Sequence, residues 1–330
     1  MLLKKPHFDV LVIGSPCVDM VFSGMPHWPI SGQEMYVDSF AISVGAIFNT
    51  AATLTRLGMR VGLLCEVGND FFSRYILEEI DKAGICRDLV LVRDYPVRAV
   101  SVCIAHDGER GFVSYADTHA GMVKHMLEIL NSANHPDGVE DAQLLSQSLR
   151  QSLDAYEFDA AFLYAYPQML PILEMLAYRK ELPIFLDIGW FPDSLNRSRM
   201  ASITQYGSYF MPNELEATRL TGAPTVEEAA RQLSELVPTA IVKAGARGVV
   251  ACSEGQLISC SALPIERVVD TTGAGDAFNG GFIYGILRGY SMADALRCGT
   301  ICGSLSTTAL SGTAAVPTSG ELERIRLGLF

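Results

Sequence analysis

The sequence predicts an α/β fold: a doubly wound, mostly parallel sheet flanked by helices, with a small β-sheet lid. Apolar runs of strand length alternate with segments of helical spacing, which is the pattern of βαβ units. These runs show little polar alternation, as expected for strands that are buried on both faces of a parallel sheet. Most end in a glycine or a polar turn, and ligands of doubly wound sheets collect beyond such carboxyl ends. The clearest runs are FDVLVIG at 8–14, VGLLCEVG at 61–68, PIFLDIG at 183–189 and TAIVKAG at 239–245.

The composition indicates one folded domain over residues 1–330, because 49% of the residues are hydrophobic and only 19% are charged. This balance allows burial to offset chain entropy, so a disordered protein is excluded. The net charge of −12 opposes binding to nucleic acid or to an anionic membrane, and we expect neither as a partner. No stretch approaches about 18 uncharged apolar residues, and the first residues lack a signal-length apolar run. We therefore expect a cytoplasmic protein.

The eight cysteines include no CxxC pair and lie mostly in apolar stretches, so we expect reduced core residues. Cys298 and Cys302 are four residues apart and can share a helix face. Two thiols without a nearby histidine favour packing over a metal site.

Elements of the N-terminal half follow the first strand in a β-α-β order. Residues 15–40 are rich in Pro and Gly, and the alternation of Met35–Phe40 predicts a half-exposed strand. Helices are predicted at Asn49–Leu57 and Phe71–Ala83, since each is followed by a glycine, which commonly ends a helix.

A hairpin is predicted where Val97–Ala105 and Gly111–Tyr115 flank a polar four-residue turn. Hairpins in parallel-sheet proteins usually leave the main sheet. We therefore predict a discontinuous lid subdomain over about 16–40 and 96–117.

The β-α-β order resumes in the C-terminal half, after residues 121–155. The helical spacing of that segment is broken at 134–138, and its sequence indicates no function. Strands are predicted within 160–166 and 207–213, and Thr225 with Glu228 matches a capping box.

The most informative segment is DTTGAGDAF at 270–278, which is dense in glycine where a helix should begin. Small residues at 273–275 let the backbone approach a ligand, and the amides of a first helical turn can face an anion. A carboxylate at Asp276 can then accept a hydroxyl proton while the amides stabilise charge on a transferring phosphoryl group. The simpler interpretation is a tight turn in which Asp276 only caps the helix.

DTTGAGDAF closely resembles the C-terminal signature of the ribokinase-like (PfkB) carbohydrate kinases, and GAIFNTAA at 45–52 with Arg56-Leu57-Gly58 resembles their N-terminal motif. Further positions agree with the family over nearly the whole chain. The resemblance implies ATP-dependent phosphorylation of a hydroxyl on a sugar, nucleoside or similar polyol, with Mg²⁺ bound through the nucleotide. The further positions are Gly14, Asp19, Gly68, Asp70, Asn213, Glu216 and 243–248.

The resemblance also implies site roles. Asp276 becomes the general base, and Gly273, Ala274 and Gly275 supply the anion hole. Glu216 approaches Mg²⁺ through water, and Asp270 corresponds to where family members often hold a monovalent cation such as K⁺, although Gly312-Thr313-Ala314-Ala315 departs from their pattern. The nucleotide contacts are Asn213, Glu216, Lys243, Gly245, Gly248 and Thr272.

Three of these nucleotide contacts keep a simpler alternative. Asn213 and Glu216 can be a helix cap, and Lys243 can be a solvated lysine at the end of a strand.

On the acceptor side, the resemblance implies that Asp19, Gly45, Asn49 and Arg110 contact the substrate. Carboxylate and amide groups suit a polyol because they form hydrogen bonds with its hydroxyls. An analogue that lacks these hydroxyls would bind less tightly, since it would leave the buried carboxylate and amide without hydrogen-bond partners. Asp19 can instead form a loop Asx-turn, and Arg110 can merely decorate the hairpin.

Departures from the family leave the substrate open. Ala46 replaces the second glycine of the usual pair, and no lysine lies between Gly45 and Asn49, which disfavours a phosphorylated sugar unless Arg98 or Arg110 supplies the cation. Three aromatic residues near strand ends can stack on a sugar or base or can belong to the core: Tyr164, Tyr166 and Trp190.

The alternatives to a sugar kinase are a nucleoside kinase and a family member that binds a metabolite without catalysis. A nicotinamide dehydrogenase is disfavoured because Gly14 is followed by Ser15 and Pro16 rather than by a GxGxxG turn. Family resemblance also suggests a homodimer through the lid.

Overall fold

The computed structural model describes residues 5–106, 109–117, 153–179, 181–189 and 195–329. The strands, numbered in chain order, are β1 (His7–Ile13), β2 (Pro16–Ser23), β3 (Ser39–Ala46), β4 (Val61–Val67), β5 (Val90–Val92), β6 (Ala99–His106), β7 (Glu109–Ala116), β8 (Glu157–Tyr164), β9 (Ile184–Asp187), β10 (Tyr209–Phe210), β11 (Thr239–Lys243), β12 (Val249–Ser253) and β13 (Gln256–Cys260). The helices are α1 (Ile47–Arg56), α2 (Phe71–Lys82), α3 (Leu170–Ala177), α4 (Arg197–Thr204), α5 (Glu214–Thr221), α6 (Val226–Leu233), α7 (Ala274–Leu287), α8 (Met292–Ser306) and α9 (Ser319–Arg326).

Within the described residues, a nine-stranded sheet has the order β13-β12-β11-β10-β9-β8-β1-β4-β5. Strands from β11 to β5 pair in parallel, and β12 and β13 extend one edge antiparallel. The predicted doubly wound, mostly parallel sheet is confirmed.

The sheet is buried on both faces, as the unbroken apolar runs predict. Successive β1 side chains point to opposite sides. Val10 and Val12 belong to the core that includes α1, α7 and α8, whereas Leu11 and Ile13 belong to the core that includes α3 to α6. All four side chains are fully buried.

A second, four-stranded sheet has the order β3-β2-β6-β7. The predicted hairpin is present as the antiparallel pair β6 and β7. The strand predicted at Met35–Phe40 is wrong in its bounds, because β3 runs from Ser39 to Ala46 and residues 35–38 lie outside it. The continuous register from Ser23↔Ser39 to Pro16↔Ala46 fixes β3, and alternation alone does not reveal which residues find a partner.

Helix ends agree closely with the glycine signals. α1 ends at Arg56 and α2 at Lys82, with left-handed glycines at 58 and 84. Thr225 caps α6 by accepting from the Glu228 amide at 3.2 Å. Reciprocal capping boxes occur at α5, between Asn213 and Glu216, and at α9, between Thr318 and Glu321.

Most of the 121–155 segment lies outside the described residues, as does Trp190. In the part of the chain that the structure covers, no helix combines the length and apolarity needed to cross a membrane. All eight cysteines lie among the described residues and none forms a disulfide; Cys298 and Cys302 are buried.

Candidate active site

The site forms where the carboxyl ends of β8, β9 and β11 meet the start of α7. Gly273 precedes α7 with φ of 73°, and a Cβ there would lie 2.7 Å from Asn49 Nδ2 and 2.7 Å from the Gly312 Cα. Glycine is therefore required by close packing and by the left-handed backbone. The Ala274 amide donates a hydrogen bond to the Thr271 carbonyl at 3.3 Å. The Gly275 amide belongs to the first turn of α7, where the helix itself supplies no carbonyl acceptor for backbone amides.

Asp276 lies in that first turn and is held at both carboxylate oxygens. The Tyr164 hydroxyl donates to Oδ1 at 2.7 Å, and Asn49 Nδ2 donates to Oδ2 at 3.3 Å. Burial raises the pKa of Asp276 to about 6, with the Tyr164 bond opposing the rise and the charge of Asp187 adding to it. A carboxyl group with this pKa is ionised at neutral pH and is a stronger base than an ordinary aspartate. No side chain caps α7, so the simple cap does not describe Asp276, and Tyr164 contacts it through its hydroxyl.

A buried ion pair lies beside the helix start. Lys243 Nζ contacts Asp187 Oδ2 at 2.6 Å and Asn279 Oδ1 at 3.3 Å, and Asn279 Nδ2 donates to the same Asp187 oxygen at 2.6 Å. Lys243 is therefore not a solvated strand-end lysine. A Cβ on Gly275 would lie 3.4 Å from Lys243 Nζ, which puts the ammonium group next to the first-turn backbone.

Sequence reasoning missed Asp187 and Asn279. Asp187 interrupts the apolar run 183–189, and a charged residue at the end of a buried strand was the available signal. Asn279 directly follows the signature and is fully buried.

Asn213 and Glu216 form the reciprocal cap of α5, with Glu216 Oε2 accepting from the Asn213 amide at 2.8 Å and Asn213 Oδ1 accepting from the Glu216 amide at 2.9 Å. The cap is thus real, and it also fixes the Glu216 carboxylate. Burial raises the pKa of Glu216, and the charge of Asp187 raises it further.

The donor chemistry fits Mg²⁺. The Glu216 carboxylate lies near the charge of Asp187, and Lys243 supplies one compensating charge. The remaining negative charge and the hard oxygen donors are what Mg²⁺ prefers.

A cleft of about 480 Å³ adjoins this centre, and its lining includes Lys243, Gly245, Gly248, Ala274 and Gly275. Gly248 has a φ of 93°, and a Cβ there would lie 2.1 Å from the Cys260 carbonyl, so the backbone itself requires this glycine. Within the described residues, Thr271 lines the cleft and the predicted Thr272 does not.

Asp270 ties the signature to the C-terminal loop. Its carboxylate is 5% exposed and accepts from the amides of Thr272 at 2.9 Å and Ser311 at 3.2 Å.

On the acceptor side, Asp19 lies in β2, so the loop Asx-turn interpretation is wrong. A Cβ on Gly45 would lie 1.8 Å from Asp19 Oδ2, so the carboxylate occupies the space that a side chain would fill. Burial raises the pKa of Asp19 to about 6, and the thiol of Cys17, which donates to Oδ1 at 3.4 Å, opposes the rise. Cys17 is a further site residue that the sequence did not reveal.

Asn49 is 2% exposed, and its Oδ1 has no hydrogen-bond partner among the described residues. Its amide group thus connects Asp276 to the residues predicted to contact the acceptor. Arg110 belongs to β7, but its side chain lies outside the described part of the chain. Arg98 forms a two-bond ion pair with Asp117, at 3.1 Å and 3.0 Å.

Helix-terminal amides beside a raised-pKa carboxylate are the groups that phosphoryl transfer to a hydroxyl uses, and fold and site together define a small-molecule phosphotransferase. Comparison with known proteins gives the family. Residues 9–319 match the model of the pfkB family carbohydrate kinase, and the chain belongs to that family. Its members are phosphotransferases that act on sugar hydroxyls.

The relatives are similar over nearly their full lengths. Ribokinase from Bacillus subtilis (strain 168) is 24% identical over 319 residues, which cover 96% of this chain and 99% of that protein. Arabidopsis thaliana ribokinase, solved with ribose and ATP, has a TM-score of 0.74 at 19% identity and covers 98% of this chain and 99% of its own. Burkholderia thailandensis nucleoside kinase, solved with inosine, has a TM-score of 0.74 at 22% identity and covers 97% and 98%. These structures confirm the ribokinase-like fold.

Proposed function

We propose that the protein transfers the γ-phosphoryl group of ATP to a hydroxyl of a sugar or related polyol. Asp276 is the general base, and the backbone at Gly273, Ala274 and Gly275 is the anion hole. The observation that carries this proposal is the Asp276 carboxylate, held by Tyr164 and Asn49 in the same helical turn as the amides.

In this reaction the acceptor hydroxyl gives its proton to Asp276 and its oxygen forms a bond to the γ-phosphorus. The bond from that phosphorus to the β,γ-bridging oxygen breaks, and ADP leaves with the electron pair. Protein groups contribute chiefly by position and charge: the amides and Lys243 stabilise the negative charge of the transferring group.

ATP occupies the cleft beside α7 in this proposal, where Gly245 and Gly248 leave the backbone free of side chains. Thr272, predicted as a nucleotide contact, acts through its amide bond to Asp270 instead. Asn213 and Glu216 would hold Mg²⁺ through water, and the ion would neutralise phosphate charge when bound. Asp270 remains a candidate neighbour of a monovalent cation such as K⁺.

The acceptor contacts are Asp19, Asn49 and the open backbone at Gly45. The buried carboxylate of Asp19 and the unpaired oxygen of Asn49 both need hydrogen-bond donors, which hydroxyls supply. A nucleoside is the second candidate acceptor, because the nucleoside kinase solved with inosine shares the fold over almost the whole chain. Its ribose offers the same hydroxyl groups.

The small sheet, carried by residues 16–46 and 96–117, is the lid of this single-domain enzyme. One of its faces carries Asp19. The opposite face carries the exposed apolar side chains of Phe40, Ile42, Val113 and Tyr115. An apolar face of this kind favours pairing with a second copy, and we propose a homodimer through the lid.

Asp276→Asn tests the chemistry. The variant keeps the shape of the side chain and loses the proton acceptor, so turnover should fall by about 10² to 10⁴. ADP release is measured with pentoses, hexoses and nucleosides, and ATP binding is measured separately by calorimetry. Normal turnover in the variant, or no ADP release from the wild type with any acceptor, overturns the proposal.

A further inference from the structure

The hydroxyl of Tyr164 holds one specific oxygen of the Asp276 carboxylate. Tyr164 is the last residue of β8, and its OH donates to Asp276 Oδ1 at 2.7 Å. Its ring packs against Phe162 with centroids 6.0 Å apart and against Tyr166 with centroids 5.7 Å apart. Burial raises the pKa of the Tyr164 hydroxyl, so the group stays protonated and remains a donor.

The other carboxylate oxygen has a weaker partner. Asp276 Oδ2 accepts from Asn49 Nδ2 at 3.3 Å, which is long for a hydrogen bond of this type. A carboxylate oxygen has two lone-pair positions, so Oδ2 can take a further hydrogen bond. Oδ1 of Asn49 belongs to the same amide group, is buried and has no hydrogen-bond partner among the described residues.

We propose that Tyr164 is a positioning residue for phosphoryl transfer: its hydroxyl occupies Oδ1 of Asp276 and leaves Oδ2 to receive the proton of the acceptor. This inference rests on the proposed function of Asp276 as the base. The step is balanced, because the acceptor proton moves to Oδ2 while the Tyr164 proton stays on its own oxygen.

The charged and titratable groups that act on Asp276 come from several elements and remain in place when only the Tyr164 hydroxyl is removed. The Tyr164 bond lowers the pKa of Asp276, opposing the effect of burial. Its loss therefore raises that pKa, and the ionised base persists only at higher pH. The remaining groups are Cys17 of β2, Asp187 of β9, Glu216 of α5, Lys243 of β11 and Tyr166 after β8.

Tyr164→Phe, measured from pH 5 to 9, tests the inference. The acidic limb of kcat/KM, which reports the free enzyme, should move to higher pH, and a displacement of one pH unit lowers kcat/KM about tenfold at pH values below both limbs. Tyr290→Phe is the matched control, since it removes a hydroxyl that donates to the Glu323 carboxylate at 2.8 Å, and its limb should coincide with that of the wild type. An unmoved limb in Tyr164→Phe, or an equal loss of rate at every pH, overturns the inference.

A second variant should shift the acidic limb in the opposite direction, and it keeps a hydroxyl group at position 164. Difluorotyrosine incorporated at position 164 is a stronger hydrogen-bond donor than tyrosine, so the acidic limb should move to lower pH. ADP affinity, measured by calorimetry, confirms that each variant is folded. If the wild type is an active kinase and Asp276→Asn is inactive while neither limb moves, the role of Tyr164 is wrong and the proposed function stands.

Discussion

At the residue scale, the geometry of the site depends on glycines, whose lack of a side chain leaves room for neighbouring polar groups. Asp19 and Gly45 are diagonal neighbours on one face of the β2–β3 pair, and the carboxylate fills the volume of the absent Cβ. Gly273 has the same relation to Asn49. Two polar side chains of the acceptor side are thus oriented by glycines on other elements.

Gly45→Ala should therefore displace the Asp19 carboxylate, because a Cβ at 1.8 Å from Oδ2 cannot coexist with it. We expect KM for the acceptor to rise by at least about tenfold, corresponding to roughly 1.4 kcal/mol, while KM for ATP changes little. Steady-state kinetics with each substrate varied in turn measures both. Gly320→Ala is the control, since a Cβ there meets nothing within 4 Å. Equal increases in both KM values contradict the assignment.

Part of this residue-scale detail was readable from sequence. The signature 270–278 identified Asp276, and the N-terminal motif identified Gly45 and Asn49. Sequence did not reveal that Ala46 adopts φ 54° and ψ −135° at the start of α1, a conformation that usually requires glycine. Nor did it reveal the Tyr164 contact, since the two residues are 112 positions apart.

At the element scale, the ion pair of Lys243 joins two strands and a helix. Lys243 ends β11, Asp187 ends β9, and Asn279 lies in α7, so the contacts hold the helix start against the sheet. The side chains of Lys243 and Asp187 are 12% and 5% exposed, which makes an unpaired charge costly.

Asp187→Asn should lower the free energy of unfolding by about 3 kcal/mol, because it removes the carboxylate that is hydrogen-bonded to the buried Lys243 ammonium group. The exchange Asp187→Asn with Asn279→Asp returns one carboxylate and one amide to Lys243 and should recover most of that loss. Urea unfolding of the single and double variants measures the difference. If the double variant is no more stable than Asp187→Asn, the free energy of unfolding depends on the position of the carboxylate and not on its charge.

Helices were easier to predict than the small-sheet strands for a physical reason. The amphipathic spacing of α1 and α2 and the glycines after them are local signals, and the bounds agree within two residues. The limits of β3 depend on its register with β2, which is a contact between distant segments. Helix caps also depend on contacts that the sequence pattern alone does not fix. Asn213 and Glu216 form both hydrogen bonds of a capping box, whereas Thr225 and Glu228 form only the bond from the Glu228 amide to the Thr225 side chain.

At the scale of the whole molecule, the lid has two chemically different faces. Asp19 and Cys17 lie on one face with Gly45, whereas Phe40 and Ile42 project from the other. Phe40 packs on Phe22 with ring centroids 4.9 Å apart, yet remains 51% exposed.

The proposed homodimer predicts that the apolar lid face is buried between two copies. Analytical ultracentrifugation at micromolar concentration should give the mass of a dimer for the wild type. Val113→Lys, on this face, should shift the protein to monomer, because it introduces an unpaired charge into the interface. Leu329→Lys adds the same charge at an exposed apolar position near the C-terminus and should leave the dimer intact. A monomeric wild type, or loss of the dimer in both variants, contradicts the proposal.

Asp19 lies in the small sheet and Asp276 at the edge of the large one, so the proposed acceptor contact and the proposed base belong to separate parts of the molecule. The proposed nucleotide contacts at Lys243, Gly245 and Gly248 belong to the large sheet and the turn after β11. In the proposed reaction, wasteful hydrolysis of ATP would therefore depend on the angle between the sheets. An acceptor that contacted both parts would displace the water molecule that competes for the phosphoryl group.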